Sequence, residues 1–187
     1  AEGGALSITH TQDSGYYGIS TDNSAVLKTD VTISGFGSGV YAKNSFVFII
    51  GSHTVDITAN NNSICSNLNI SGAPKVTLKS NSTTQNVVDG TAHSIALAEG
   101  GSVTITGKVQ EKMINGDVTL DPDTALDPGK GELTGSTYIG AANVDSTFTV
   151  VFGYHPVPAA TVDDVTISGN NKEFDAKDIT VTLRNDT

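Results

Sequence analysis

The sequence predicts an all-β fold: a three-sided parallel β-helix of about five rungs over residues 1–120, then an acidic β segment over residues 121–187. Three observations carry this expectation. A tripeptide recurs at near-constant spacing, two further apolar clusters follow each copy in the same order, and both rhythms fail after residue 120.

The tripeptide copies are Leu6-Ser7-Ile8, Val31-Thr32-Ile33, Val55-Asp56-Ile57, Val76-Thr77-Leu78 and Val103-Thr104-Ile105, with third positions 25, 24, 21 and 27 apart. The outer residues are apolar and the middle one polar, the period-2 signature of a strand with one buried face. The second cluster reads Tyr16-Tyr17, Val40-Tyr41, Ile64-Cys65, Val87-Val88 and Met113-Ile114. The third reads Val26-Leu27, residues 46–50, Leu68 with Ile70, Ile95 with Leu97, and Val118 with Leu120. Gly, Asn, Ser or Asp separates nearly every cluster, as turns require. Equivalent strands are therefore expected to stack in register, with like residues in columns. Tyr17, Tyr41 and Cys65 lie 24 apart and Val88 follows at 23, which predicts Cys65 as a small interior column member. An antiparallel sandwich is the competing architecture. It gives no reason for one cluster order to repeat five times, and Asp89-Gly90 and Asn115-Gly116 are the only Asp-Gly or Asn-Gly dipeptides.

Val31-Thr32-Ile33-Ser34-Gly35 and Val103-Thr104-Ile105-Thr106-Gly107 resemble repeats of the pectate-lyase-like parallel β-helix superfamily and of bacterial surface β-solenoids. The resemblance spans roughly residues 6–120 and implies architecture and a right-handed coil. It does not imply one activity, because that fold hosts lyases, hydrolases, phage spikes and adhesins. The catalytic patterns of its enzymes do not carry over. No arginine lies in the coil, and the only adjacent aspartate pair, Asp163-Asp164, falls outside the repeat with no basic motif after it.

Composition agrees with an all-β chain. Ser and Thr number 42 of 187 residues, Gly 20, charged residues are 16%, and Trp is absent. Net charge is −10 with a single arginine, Arg184, which argues against nucleic acid and anionic membranes as partners. Residues 1–120 hold 9 acids and 6 bases, residues 121–187 hold 11 and 4, and four of five prolines follow residue 120. This shift places the domain boundary near residue 121. Beyond it, the strand-like stretches and the returning Val165-Thr166-Ile167 and Val181-Thr182-Leu183 fit a cap, irregular rungs or a small β subdomain. A coil end needs cover, and the sequence supplies none before residue 6, so residues upstream of the first rung are expected. The first residues have neither a basic segment nor an apolar one, as after removal of a signal or inside a longer chain. One cysteine excludes an intramolecular disulfide, and no apolar run has membrane-spanning length.

Candidate chemistry is sparse. Asp121, Asp123, Asp127 and Glu132 occupy positions 1, 3, 7 and 12 of a twelve-residue frame, a partial match to a calcium loop. Ala125 and Leu126 stand where an oxygen ligand and the bend glycine belong, so a solvated acidic connector is the alternative. No other cofactor is expected. His10, His53, His93 and His155 lack metal-ligand spacing and read as surface turn residues. Tyr16, Phe36, Tyr138 and Tyr154 are candidate glycan-stacking rings if exposed; otherwise they fill core columns or coil corners. The outward Ser/Thr array is interrupted by Asp56 and Lys79, which favours ordinary solubility over ice binding.

The expectation is a non-catalytic module of an extracellular or cell-surface bacterial protein: an adhesin, stalk or glycan-contacting β-helix. Its partners would be glycans or host surface macromolecules, without direct membrane insertion. A polysaccharide-active lyase or hydrolase of the β-helix class is the alternative.

Overall fold

The computed structural model describes residues 4–108, 113–122, 131–133, 146–154 and 178–185, and all regular elements among them are β-strands. The repeated tripeptides form the first ladder of a parallel β-solenoid of about four turns. Its strands are β1 (Leu6–Thr21), β3 (Val31–Ile50), β4 (Thr54–Ala59), β6 (Lys75–Ser80) and β8 (Ser102–Gly107). Leu6, Val31, Val55, Val76 and Val103 share one column, and Ile8, Ile33, Ile57, Leu78 and Ile105 share the next. Five stacked copies make four steps of the coil. From the second copy upward both columns are buried, and each fully buried Val, Ile or Leu contributes about 1.5–3 kcal/mol. The polar middle residues Ser7, Thr32, Asp56 and Thr77 are exposed, as the period requires.

After the first ladder the chain turns at Gly35, whose φ is +80°. A Cβ there would fall on the His10 carbonyl oxygen of the rung below, so only glycine fits.

The second and third ladders run through β1, β2 (Ala25–Leu27), β3, β5 (Ile64–Gly72), β7 (Val88–Leu97) and β9 (Ile114–Pro122). The second ladder's interior column is Ile19, Val40, Ile64, Val88 and Ile114. This corrects the expectation for Cys65. Val88 stands opposite Ile64, not Cys65, and one residue of offset moves a side chain to the other face. Cys65 pairs with Tyr41 and lies half-buried on the outer side.

The third ladder holds two interior columns: Ala25, Val47, Leu68, His93 and Val118, and beside it Leu27, Ile49, Ile70 and Ile95, with Leu120 next in register on β9. The alternation therefore pairs Ala25 with Leu27 inward and leaves Val26 exposed. Likewise His93 and Ile95 are the equivalents of Leu68 and Ile70, while Leu97 faces Gly72 two residues further on.

Strand direction reverses at the far end of the coil. β10 (Gly131–Leu133) pairs antiparallel with β9, and β11 (Ser146–Tyr154) pairs antiparallel with β8. β12 (Asp178–Asn185) then runs parallel to β11, so Val181-Thr182-Leu183 lies against the coil direction. Val165-Thr166-Ile167 lies outside the described residues.

Candidate functional site

The aromatic side chains on the outer wall near the first two rungs are the most distinctive surface feature. Tyr16 is 70% exposed. Tyr17 and Tyr41, on successive rungs, stack with ring centroids 4.8 Å apart and planes 20° apart. Phe46 and Phe48 stack at 5.6 Å on the outward side of the third ladder, and Val26 is exposed beside them, opposite Phe48 in register. Strand parity explains this pair: Val47 and Ile49 between and after them point inward.

Of the candidate glycan-stacking rings whose side chains are described, Tyr16 lies open and Phe36 does not. Phe36 is 8% exposed and packs against the His10 ring at 5.2 Å, so its face is unavailable for stacking. It belongs to the core and fills the corner behind Gly35. Tyr138 lies outside the described residues. Tyr154 ends β11 opposite Asn185 in the ladder.

The acidic frame is split between two strands. Asp121 lies on β9 opposite Ala96, and Glu132 lies on β10 opposite Thr119. Asp123 and Asp127 lie outside the described residues. Strands rather than helices flank the frame. Among the described residues no group of three or more His, Cys, Asp or Glu side chains is placed to hold a metal ion.

Next to Tyr41 along the outer wall is a small polar cluster. The Cys65 thiol donates to Asn62 Oδ1 at 3.3 Å, and Ser38 Oγ lies 3.6 Å from Sγ. Burial pushes the thiol pKa up, the Ser38 hydroxyl opposes this by donating to the thiolate, and the Asp89 carboxylate raises it further. The net rise keeps Cys65 a neutral thiol rather than a nucleophile. Asp89 in turn accepts from Asn115 Nδ2 at 2.9 Å.

His93 corrects the surface-turn expectation for the histidines. It is 5% exposed and occupies the apolar column between Leu68 and Val118. Its Nδ1 accepts the Leu68 backbone N–H at 3.1 Å, and its Nε2 donates to the Asn115 carbonyl at 2.7 Å. Both ring nitrogens are thus used by the backbone of neighbouring strands where the register of β7 shifts. Asn67 secures the same irregularity from outside, its Oδ1 accepting from Thr91 N at 2.8 Å and Ala92 N at 3.2 Å. A readable signal existed: His93 stands two residues before Ile95, as Leu68 stands two before Ile70. His53 is half-buried near a corner, with Nε2 enclosed and without a hydrogen-bond partner. His155 lies outside the described residues.

The fold places the chain in the class of parallel β-solenoids. No protein-family model matches it. Neither a curated protein nor a solved structure matches it.

Proposed function

We propose that the chain is a non-catalytic module of an extracellular bacterial surface protein, a β-solenoid that holds aromatic rings in fixed positions for contact with glycans. The observation that carries this reading is Tyr16, 70% exposed beside the Tyr17–Tyr41 stack on the coil wall. An exposed ring offers an apolar face to the C–H face of a sugar, and its hydroxyl offers a polar handle. A stack of rungs is a rigid support, because each strand inside the stack is held on both sides by its neighbours and β1 is paired along its length with β3. The Ser/Thr-rich, acidic wall suits a hydrated cell surface, with glycans or host macromolecules as partners. The likeness to bacterial surface β-solenoids supports the same reading. The likeness to pectate lyases stays at the level of architecture, and no specific observation favours a polysaccharide-active lyase or hydrolase.

A glycan-array screen run beside a depolymerisation assay on acidic polysaccharides, with and without calcium, tests this. Glycan binding that Tyr16→Ala removes, without chain shortening, is the expected result. Chain shortening would overturn the non-catalytic reading, and binding unchanged by Tyr16→Ala would overturn the assigned surface. Calcium-dependent binding would assign the frame from Asp121 to Glu132 a metal role.

A further inference from the structure

Strand β7 carries one residue more than the strands on either side of it. From Val88 to His93 is a step of five, against four from Ile64 to Leu68 on β5. From Asp89 to Ala92 is a step of three, against two from Asn115 to Asp117 on β9. The extra residue makes a bulge between Asp89 and Ala92, and the bulge has no slack. A Cβ added at Gly90 would lie 2.6 Å from the Ser66 carbonyl oxygen of β5, and one at Gly116 would lie 2.7 Å from the Thr91 carbonyl carbon.

Two side chains hold this bulge. On the outer side Asn67 Oδ1 accepts from Thr91 N and Ala92 N, and a carboxamide does not titrate. On the inner side His93 bridges the Leu68 N–H and the Asn115 carbonyl, and an imidazole does titrate. Taking up a proton places a hydrogen on Nδ1, which the Leu68 N–H already faces at 3.1 Å. Two donors then point at each other, and a charge stands in the column between Leu68 and Val118.

The titratable groups on the surrounding strands are few. β5 carries Cys65, half-buried on the outer wall, and β8 carries none. Lys75 and Lys79 of β6 alternate with the buried Val76 and Leu78 and so point outward. Asp89 of β7 is half-buried and accepts from Asn115 Nδ2, on the same residue whose carbonyl receives the His93 Nε2–H. On β9, Asp117 lies opposite Ala92 and Asp121 opposite Ala96, neither of them opposite His93.

We infer that His93 is a pH-sensitive latch: protonation of its ring releases the β7 bulge from β5 and opens the coil locally around Leu68, His93 and Val118. The closed state requires the neutral ring, whereas a ring released into water binds a proton below about pH 6.5. Closure is therefore complete above that range and weakens as pH falls through it. Cys65 stands three residues before Leu68 and close enough to Asp89 to feel its charge, so the chain's only thiol reports the opening. The inference is independent of the glycan reading, which rests on Tyr16.

Labelling of Cys65 by a dipyridyl disulfide, which reacts with thiols in acid, tests the latch on the full chain from about pH 7.5 to 5, above the range in which carboxylates titrate. The control is His93→Gln, whose carboxamide offers one acceptor and one donor and takes up no proton. The ratio of the two labelling rates cancels the pH dependence of the thiol and of His10, His53 and His155, which both chains share. The ratio of wild type to His93→Gln should rise below about pH 6.5, by up to about tenfold per pH unit, and fall back when the pH is restored. Parallel profiles in the two folded chains would overturn the latch. So would a rise that coincides with loss of the far-ultraviolet circular dichroism signal, because the whole coil would then be unfolding. Nitrogen-15 spectra of wild-type His93 give a second measurement that needs no variant. The ring should become doubly protonated over the same pH range in which labelling accelerates, and acceleration while the ring stays neutral would overturn the assignment.

Discussion

The backbone N–H of Leu68 donates to Nδ1 of His93 in the rung above, at 3.1 Å, inside an otherwise apolar column. An N–H can only donate, so Nδ1 must carry a lone pair. The Asn115 carbonyl can only accept, so Nε2 must carry the proton. The imidazole is held as the neutral Nε2–H tautomer by two backbone groups it cannot exchange. Its ring bridges a register shift that would otherwise leave a donor and an acceptor buried.

His93→Leu keeps the volume and removes both hydrogen bonds. The expected loss is about 2–4 kcal/mol, the combined cost of an orphaned N–H and C=O. Urea denaturation measures it. In the wild-type chain, nitrogen-15 spectra of His93 should show the Nε2–H tautomer alone; a mixture of tautomers would contradict the assignment.

Ile57 and Asp56 are neighbours on β4 with opposite fates, one buried in the centre of a five-residue column and the other exposed. Ile57→Ala should cost about 2–5 kcal/mol through lost burial and the cavity left behind. Asp56→Thr should change stability by no more than about 0.5 kcal/mol. Similar losses at both sites would show that the columns are misassigned.

Gly35 and Gly100 both have positive φ, +80° and +85°. At Gly35 an added Cβ meets the His10 backbone, whereas at Gly100 nothing lies within 4 Å. Gly100→Ala should therefore cost only the conformational strain, about 1 kcal/mol. Gly35→Ala adds a backbone collision between rungs and should lower the thermal midpoint much further.

Cys65 should react slowly with iodoacetamide at neutral pH compared with a free thiol, because burial raises its pKa above the usual 9.0. The sign for stability follows. The protonated thiol is the form favoured by folding, so its contribution is complete below the ordinary thiol range. It is lost as pH rises through the raised folded value. Ser38→Ala removes a donor to the thiolate and should slow alkylation further. Faster alkylation in that variant would contradict the assigned hydrogen bond.

The first ladder was legible because its tripeptide is uninterrupted: apolar, polar, apolar at each of five copies leaves one possible parity. The second and third ladders were legible as clusters but not in register. Cys65 and Val26 each stand beside an inward residue, and a cluster of two apolar residues does not state which one turns in; in Tyr16-Tyr17 neither does, and Ile19 beyond them joins the column. Phe36 carried two readings, an exposed stacking ring or a corner filler, and it is buried in the core at its corner. His93 was misplaced because a histidine's polarity suggests the surface, and only the strands above and below supply partners for both its nitrogens.

By itself the sequence determined that the chain is β, that its rungs repeat at about 24 residues, and that Val, Ile and Leu columns fill the first ladder. Those follow from local alternation, which each strand carries in its own residues. The tertiary structure decided the rest: which neighbour of each pair faces inward, the burial of Phe36 and His93, and the reversal of strand direction at β10 and β11. Such properties belong to pairs of strands distant in the chain, and register between them is set by packing and backbone hydrogen bonds that no single segment contains.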